Sequence, residues 1–284
     1  MKKFKLGVLA MALVSMLGFT SCLDSGEVSN VTGINSFARV TNYLGLYSFS
    51  LPTGLTLTPL NQTGLENINK YSNYTWLTAT ADGDTQDLEN SKNWDITVLG
   101  YYSVKDGQMV AQSPVEENAN APVSDVNYSY FGNEVRIMFF NLNEMFLPVF
   151  YRIRTVDRDD DDEVNAELEA HSFTLYYNAT EDFQNGAMTL HLRHYIADLQ
   201  ADDEFMSDPT MGIEHFDISA PLQAYASTIG GTPDRIVIAF EQNSIDGSYD
   251  SNRVSDNTFE INYQTYVDYY NQYMANNGSG SSEE

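Results

Sequence analysis

The chain has 284 residues, room for one or two domains. A 42% hydrophobic and 13% aromatic content supports a packed core and excludes a wholly disordered chain. Forty Asp and Glu against 14 Lys and Arg, a net charge of −26, exclude the basic surface that nucleic acid requires, and a single cysteine excludes a disulfide scaffold or a cysteine-rich metal site.

Residues 1–21 read as a secretory signal. Lys2, Lys3 and Lys5 are its basic region, and Leu6 to Leu17 its apolar run. That run falls short of the roughly 20 residues a membrane span needs. Gly18-Phe19-Thr20-Ser21 directly before Cys22 resembles the lipobox of bacterial lipoproteins, with Phe19 where an aliphatic residue is usual. The resemblance implies cleavage before Cys22 and acylation of its sulfur and amine. A plain secretory signal would need the only cysteine of the chain to fall at this spot by chance. Two or three acyl chains anchor stably, at about 0.8 kcal/mol per buried CH₂. The expected location is the bacterial outer membrane, lipid-anchored through Cys22 at the cell surface or on the periplasmic face. Removing the three lysines of the signal takes the net charge from −26 to −29. Residues 22–35 are small and polar and read as a tether.

Residues 36–112 alternate short β-type runs with turns. Phe37 to Val40 opens the series. Leu46–Leu51 and Leu55–Thr58 flank Pro52-Thr53-Gly54, which predicts a hairpin. Tyr74–Thr80 and Trp94–Val104 follow. In the latter Trp94, Ile96 and Val98 alternate with Asp95 and Thr97, the period of a half-buried strand. Asp106-Gly107 marks a turn before Gln108-Met109-Val110. So many short strands in so short a stretch suit a small barrel or sandwich.

Residues 113–125 carry two prolines and no aromatic residue and are read as the linker. Residues 126–263 repeat the β pattern. Tyr128–Tyr130 and Val135–Phe140 flank a turn at Phe131 to Glu134. Phe146–Val156, Phe173–Tyr177, Met188–Ile196, Ile213–Ile218 and Arg235–Phe240 follow, and Thr258–Tyr263 is a last strand. This spacing predicts a β-sandwich. Residues 264–284 read as a partly disordered tail, with Tyr266–Met274 either a short helix or an edge strand. The fold class is therefore all-β.

His191 and His194 stand three apart. On a strand they face opposite sides and cannot share a metal. There is no His-Glu-x-x-His, no Gly-x-Ser-x-Gly and no phosphate-cradling glycine loop. The acidic run Asp157–Glu163 has oxygens for calcium but no glycine to fold a ligand loop, and it reads as a solvated loop. Asp82-Gly83-Asp84 reads as an ordinary turn. Forty acids always offer carboxylate pairs, so none is singled out for glycoside hydrolysis. No metal, cofactor or catalytic residue is assigned. Tyrosines cluster at Tyr43, Tyr47, Tyr71 and Tyr74 and at Tyr266, Tyr269, Tyr270 and Tyr273. They either fill strand faces or offer a stacking surface to sugars and proteins.

Phe150-Tyr151-Arg152-Ile153-Arg154, Leu190-His191-Leu192-Arg193-His194, Ile213 to Ile218 and Asp234 to Ile238, together with the start at Cys22, resemble the NigD-like family of Bacteroidetes lipoproteins. The likeness covers most of residues 22–245. Tyr195-Ile196 depart from the polar turn expected there, and residues 246–284 have no counterpart. The resemblance implies a small N-terminal OB-like barrel, a C-terminal β-sandwich and a link to bacteriocin immunity. None of its motifs is catalytic, and only Cys22 carries over as a site residue.

The residues thus point to a non-enzymatic envelope lipoprotein that binds a protein or glycan, an immunity-type protector included. The alternatives are a glycan-binding lipoprotein of a polysaccharide uptake system, an adhesin or pilus subunit using Thr258–Tyr270 as a donor strand, and a hydrolase.

Overall fold

The computed structural model describes residues 30–112, 120–126, 129–130, 133–134, 137–184, 186–243 and 254–277. The signal, Cys22 and the first part of the tether lie outside the described residues. The chain divides into two compact units between Asp106 and Gly107.

The first unit holds β1 (Val31–Tyr43), β2 (Leu46–Ser50), β3 (Thr56–Pro59), β4 (Tyr74–Asp82), β5 (Asn93–Ser103) and the two-residue β6 (Lys105–Asp106). The first five close a barrel in the order β1-β2-β3-β5-β4. Only β3 and β5 pair parallel. This is the strand order of an OB-type barrel, as expected. Strand alternation explains it. On β5, Trp94 and Ile96 are buried, while Asp95 and Thr97 face water. The barrel is filled by Ile34, Phe49, Leu57, Leu77 and Ile96, each fully buried and each contributing about 1.5–3 kcal/mol. The Pro52–Gly54 turn joins β2 to β3 as the sequence predicts, with Leu51 N donating to Leu55 O at 2.9 Å. The tether is shorter than the predicted 22–35. β1 begins at Val31, because Ile34 already alternates into the core.

The second unit begins with β7 (Gln108–Ala111). β8 (Ser129–Tyr130) pairs antiparallel with β9 (Asn133–Glu134), so Asn133 and Glu134 are strand where a turn is predicted. β10 (Met138–Phe139), β11 (Glu144–Tyr151), α1 (Asp161–Ala170), β12 (His171–Tyr177), β13 (Phe183–Gln184), β14 (Ala187–Ile196), β15 (Thr210–Asp217), α2 (Ser219–Thr228), β16 (Arg235–Asn243), β17 (Val254–Asn262) and α3 (Tyr263–Asn277) complete it. β11 lies between β10 and β15, all antiparallel. A second, mixed sheet runs β17-β16-β14-β12-β7. Both sheets contribute to one core, Leu147, Val149 and Phe216 from the first, Leu175, Leu190 and Ile238 from the second. The second unit is thus a two-sheet sandwich.

The predicted boundaries need three corrections. Gln108–Ala111 pairs with β12, so it belongs to the second unit, not to a domain ending at residue 112. The linker 113–125 is only partly described, and its described end is not a linker. Ala121, Val123 and Asp125 form bridges to His194, Gln242 and Phe150, and Val123 is buried. Short polar composition hid backbone pairing that only distant strands supply. The tail is helical to Asn277, with Tyr263, Tyr266 and Val267 buried. Tyr266 stacks on Phe139 at 4.7 Å.

Gly107 shows why a turn glycine can be a packing residue. A Cβ there would lie 2.1 Å from the Phe216 ring, and Gly107 N is tied to His215 O at 2.9 Å. Gly107→Ala should therefore cost about 2–3 kcal/mol by overpacking, roughly a 5–10 °C drop in melting temperature. Gly100→Ala, which meets open space, is the control. Equal melting temperatures for the two variants would refute the packing role.

Candidate functional site

Most of the chemically capable side chains gather inside the second unit. β14 alternates strictly, so His194 points into the core and His191 away from it. The two rings do not meet, as the three-residue spacing predicts.

The inward side holds an unforeseen polar network. His171, the first residue of β12, places Nδ1 2.8 Å from His194 Nε2 and Nε2 3.0 Å from Glu167 Oε1. His194 Nδ1 lies 3.2 Å from the Pro122 carbonyl. Glu167 accepts from Arg154 three times, from the backbone N at 2.7 Å, Nε at 2.8 Å and Nη2 at 2.7 Å. Asp203 flanks the same guanidinium at 3.6 Å. Glu167, His171 and His194 are all buried. Phe173 stacks on His194 at 4.6 Å, and Tyr151 packs against both imidazoles.

Donor and acceptor accounting assigns the protons. The Pro122 carbonyl only accepts, so His194 carries its proton on Nδ1. His194 Nε2 must then accept from His171 Nδ1. His171 Nε2 faces a carboxylate, so it also carries a proton. A cationic His171 thus sits between ionised Glu167 and neutral His194. Burial, with the charge of His171 beside it, pushes His194 down to about 3. Glu167 is itself held below the usual carboxylate range. Burial opposes this, but the Arg154 and His171 hydrogen bonds outweigh it.

This network is closed. The cavity beside it, lined by Arg152, His194, Ser124 and Asn243 among others, has about 10 Å³, the space of one water. Its rings bond to one another rather than facing a cleft, so it ties α1, β12, β14 and residues 120–123 together.

The two remaining histidines are likewise held by carboxylates. His191 Nε2 meets Asp182 Oδ1 at 2.8 Å, with Tyr176 stacked on its ring. His215 Nε2 meets Glu144 Oε2 at 2.5 Å. Arg193 reaches Glu241 at 3.0 Å and lies over Tyr176.

The acidic run is exposed as expected, and Asp157–Asp160 is loop, but the rest of it is helix. Asp161–Glu163 form the first turn of α1, and Asp160 caps it by accepting from the N–H groups of Asp162 and Glu163. Carboxylates at a helix N-terminus complement its dipole. Asp82 forms the turn expected of it, accepting from Asp84 N at 2.9 Å. Among the described residues no three His, Cys, Asp or Glu side chains converge as a metal site. The first tyrosine cluster does not form a platform, because Tyr47 and Tyr74 are buried while Tyr43 is exposed. In the second, Tyr266 is buried and Tyr269 exposed. Among the described residues no helix is long and apolar enough to cross a membrane.

No protein-family model matches the chain, and no curated protein matches it. Solved structures do. A protein from Bacteroides fragilis described as a lipoprotein has a TM-score of 0.65 at 22% identity, covering 81% of this chain and 98% of that one. The two share a fold. The structural neighbours also include a NigD-like immunity protein from Bacteroides caccae, at a TM-score of 0.44 and 12% identity, covering 84% of this chain and 99% of that one.

Proposed function

We propose that this chain is a membrane-anchored, non-enzymatic lipoprotein of the bacterial cell envelope, held by acylated Cys22, whose β units bind a protein or glycan partner. The immunity-type protector is the form of this reading that the NigD-like motifs suggest. The observation that carries it is the position of Cys22. It is the sole cysteine, and it directly follows a basic and apolar leader. The fold shared with a Bacteroides fragilis chain described as a lipoprotein supports the same reading. The non-enzymatic part is supported by the His171–His194 pair, which is buried and bonded to itself, Glu167 and Pro122 rather than facing a cleft. The adhesin alternative loses its donor strand. Thr258–Asn262 already pairs with β16 along its length, and the segment from Tyr263 onward is helix.

Cys22→Ala should move the protein from the membrane pellet to the soluble fraction. Retention of the variant in carbonate-washed membranes would overturn the anchor. Protease shaving of intact cells then locates the partner. Digestion of wild type means the body faces outward, towards external proteins and glycans. Protection means a periplasmic partner.

A further inference from the structure

Charge is distributed very unevenly along the chain. Residues 107–284 carry 31 acidic and 7 basic side chains, whereas residues 30–106 carry 7 and 4. The nearly neutral barrel also exposes large apolar side chains. Leu60 is 71% exposed and Leu99 63% exposed. They line one groove of about 280 Å³ between residues 60–65 and 97–101, and no lining residue is charged.

The start of β2, just after the β1–β2 turn, is bonded to the loop that lines this groove. Tyr47 N donates to Gln62 Oε1 at 2.7 Å, which places Leu46 beside the 60–65 loop. At the tip, Leu44 takes φ 54°, the left-handed region that Asn or Gly adopts at low cost. Its side chain is 87% exposed. A leucine is kept where neither the backbone preference nor water favours one.

The chain enters the barrel at Val31, the end of β1 opposite the Tyr43–Leu46 turn. Val31 pairs with Asp82, Thr80 pairs with Thr97, and Ile96 pairs with Pro59. Leu60 therefore lies three strands from Val31, about 15 Å away. The nine residue steps from Cys22 to Val31 span at most about 30 Å. An acylated Cys22 holds this edge within reach of the bilayer.

We propose that the apolar edge of the barrel, centred on Leu60 and Leu99 and ending in the Tyr43–Leu46 turn, inserts into the interfacial layer of the lipid bilayer that Cys22 anchors. The inference rests on the anchoring proposed above. An uncharged groove enters the interface without burying an ion. The acidic second unit is repelled by anionic head groups, which leaves the barrel as the docking unit. Apolar side chains at the interface add a second contact to the acyl chains.

The test uses the acylated full-length protein in phosphatidylethanolamine vesicles, with Leu60→Cys, Leu99→Cys and Thr258→Cys variants. Acylation consumes Cys22, so each new cysteine is the only free thiol for a nitroxide label. Labels at 60 and 99 should collide with oxygen about twofold or more above the exposed control at 258, and less with aqueous nickel chelate. Aqueous behaviour at 60 and 99, with Cys22 unreactive to maleimide, overturns the docking and leaves the anchor standing. A reactive Cys22 overturns both. Labels that are aqueous in vesicles but immobilised in native envelope membranes mark a protein partner and overturn the lipid assignment.

Discussion

Glu167→Ala should destabilise the second unit by about 3–5 kcal/mol, a fall of roughly 10–15 °C in melting temperature. The reason is charge left behind. Glu167 is the buried residue of α1 and receives three bonds from Arg154 and one from His171. Removing it strands a partly buried guanidinium and a buried imidazolium. The double variant Glu167→Ala, His171→Ala should lose less than the sum of the single losses, because each single change exposes the same broken contact. Urea unfolding measures all three. A melting temperature within two degrees or so of wild type for Glu167→Ala would show that Glu167 does not hold the network together.

Acidification should weaken the same unit strongly. His194 has an ordinary value of 6.5 and is held at about 3 in the fold. Between these values the unfolded chain binds the proton and the folded chain does not. Stability therefore rises with pH across this window and is lost as pH falls from 6.5 towards 3. The limit is roughly 5 kcal/mol. Glu167 acts in the same direction. Its folded value is depressed from 4.5, so its contribution is present above 4.5 and disappears as pH falls through the folded value. Arg154, Asp203, His171 and, across the small cavity, Arg152 are charged groups beside these two. Acid also relieves the self-repulsion of a chain with a net charge of −26, which partly masks the effect. The difference between wild type and His194→Gln isolates it. Urea unfolding between pH 7 and 4 should show a steeper loss in wild type. Parallel curves would refute a neutral, buried His194.

Much of the barrel was legible in the residues. Trp94, Ile96 and their alternating polar neighbours announced β5, and Pro52-Thr53-Gly54 announced the β2–β3 turn. The opposite orientation of His191 and His194 followed from strand period alone. The three helices were harder. α1 has no apolar stripe, because its buried side chain is a glutamate. One signal was available, Asp160 three residues before Glu163, which is the spacing of a helix cap. That signal stands inside a run of adjacent carboxylates, whose mutual repulsion favours an exposed loop. For α3 the residues allowed a short helix or an edge strand within the tail, and packing of Tyr263 and Tyr266 on Phe139 decides for the helix.

The sequence by itself determined the all-β class, the acidic body and the sole cysteine behind its leader. These depend on composition, on neighbours along the chain and on a period of two, all local quantities. Only the tertiary structure decided that Glu167, His171, His194 and Pro122 meet, and that Leu60 and Leu99 share a groove. The Pro122–His194 contact joins residues 72 positions apart. Such pairings follow from sheet register and barrel closure, in which each strand is placed by its partner strands rather than by its own sequence neighbours.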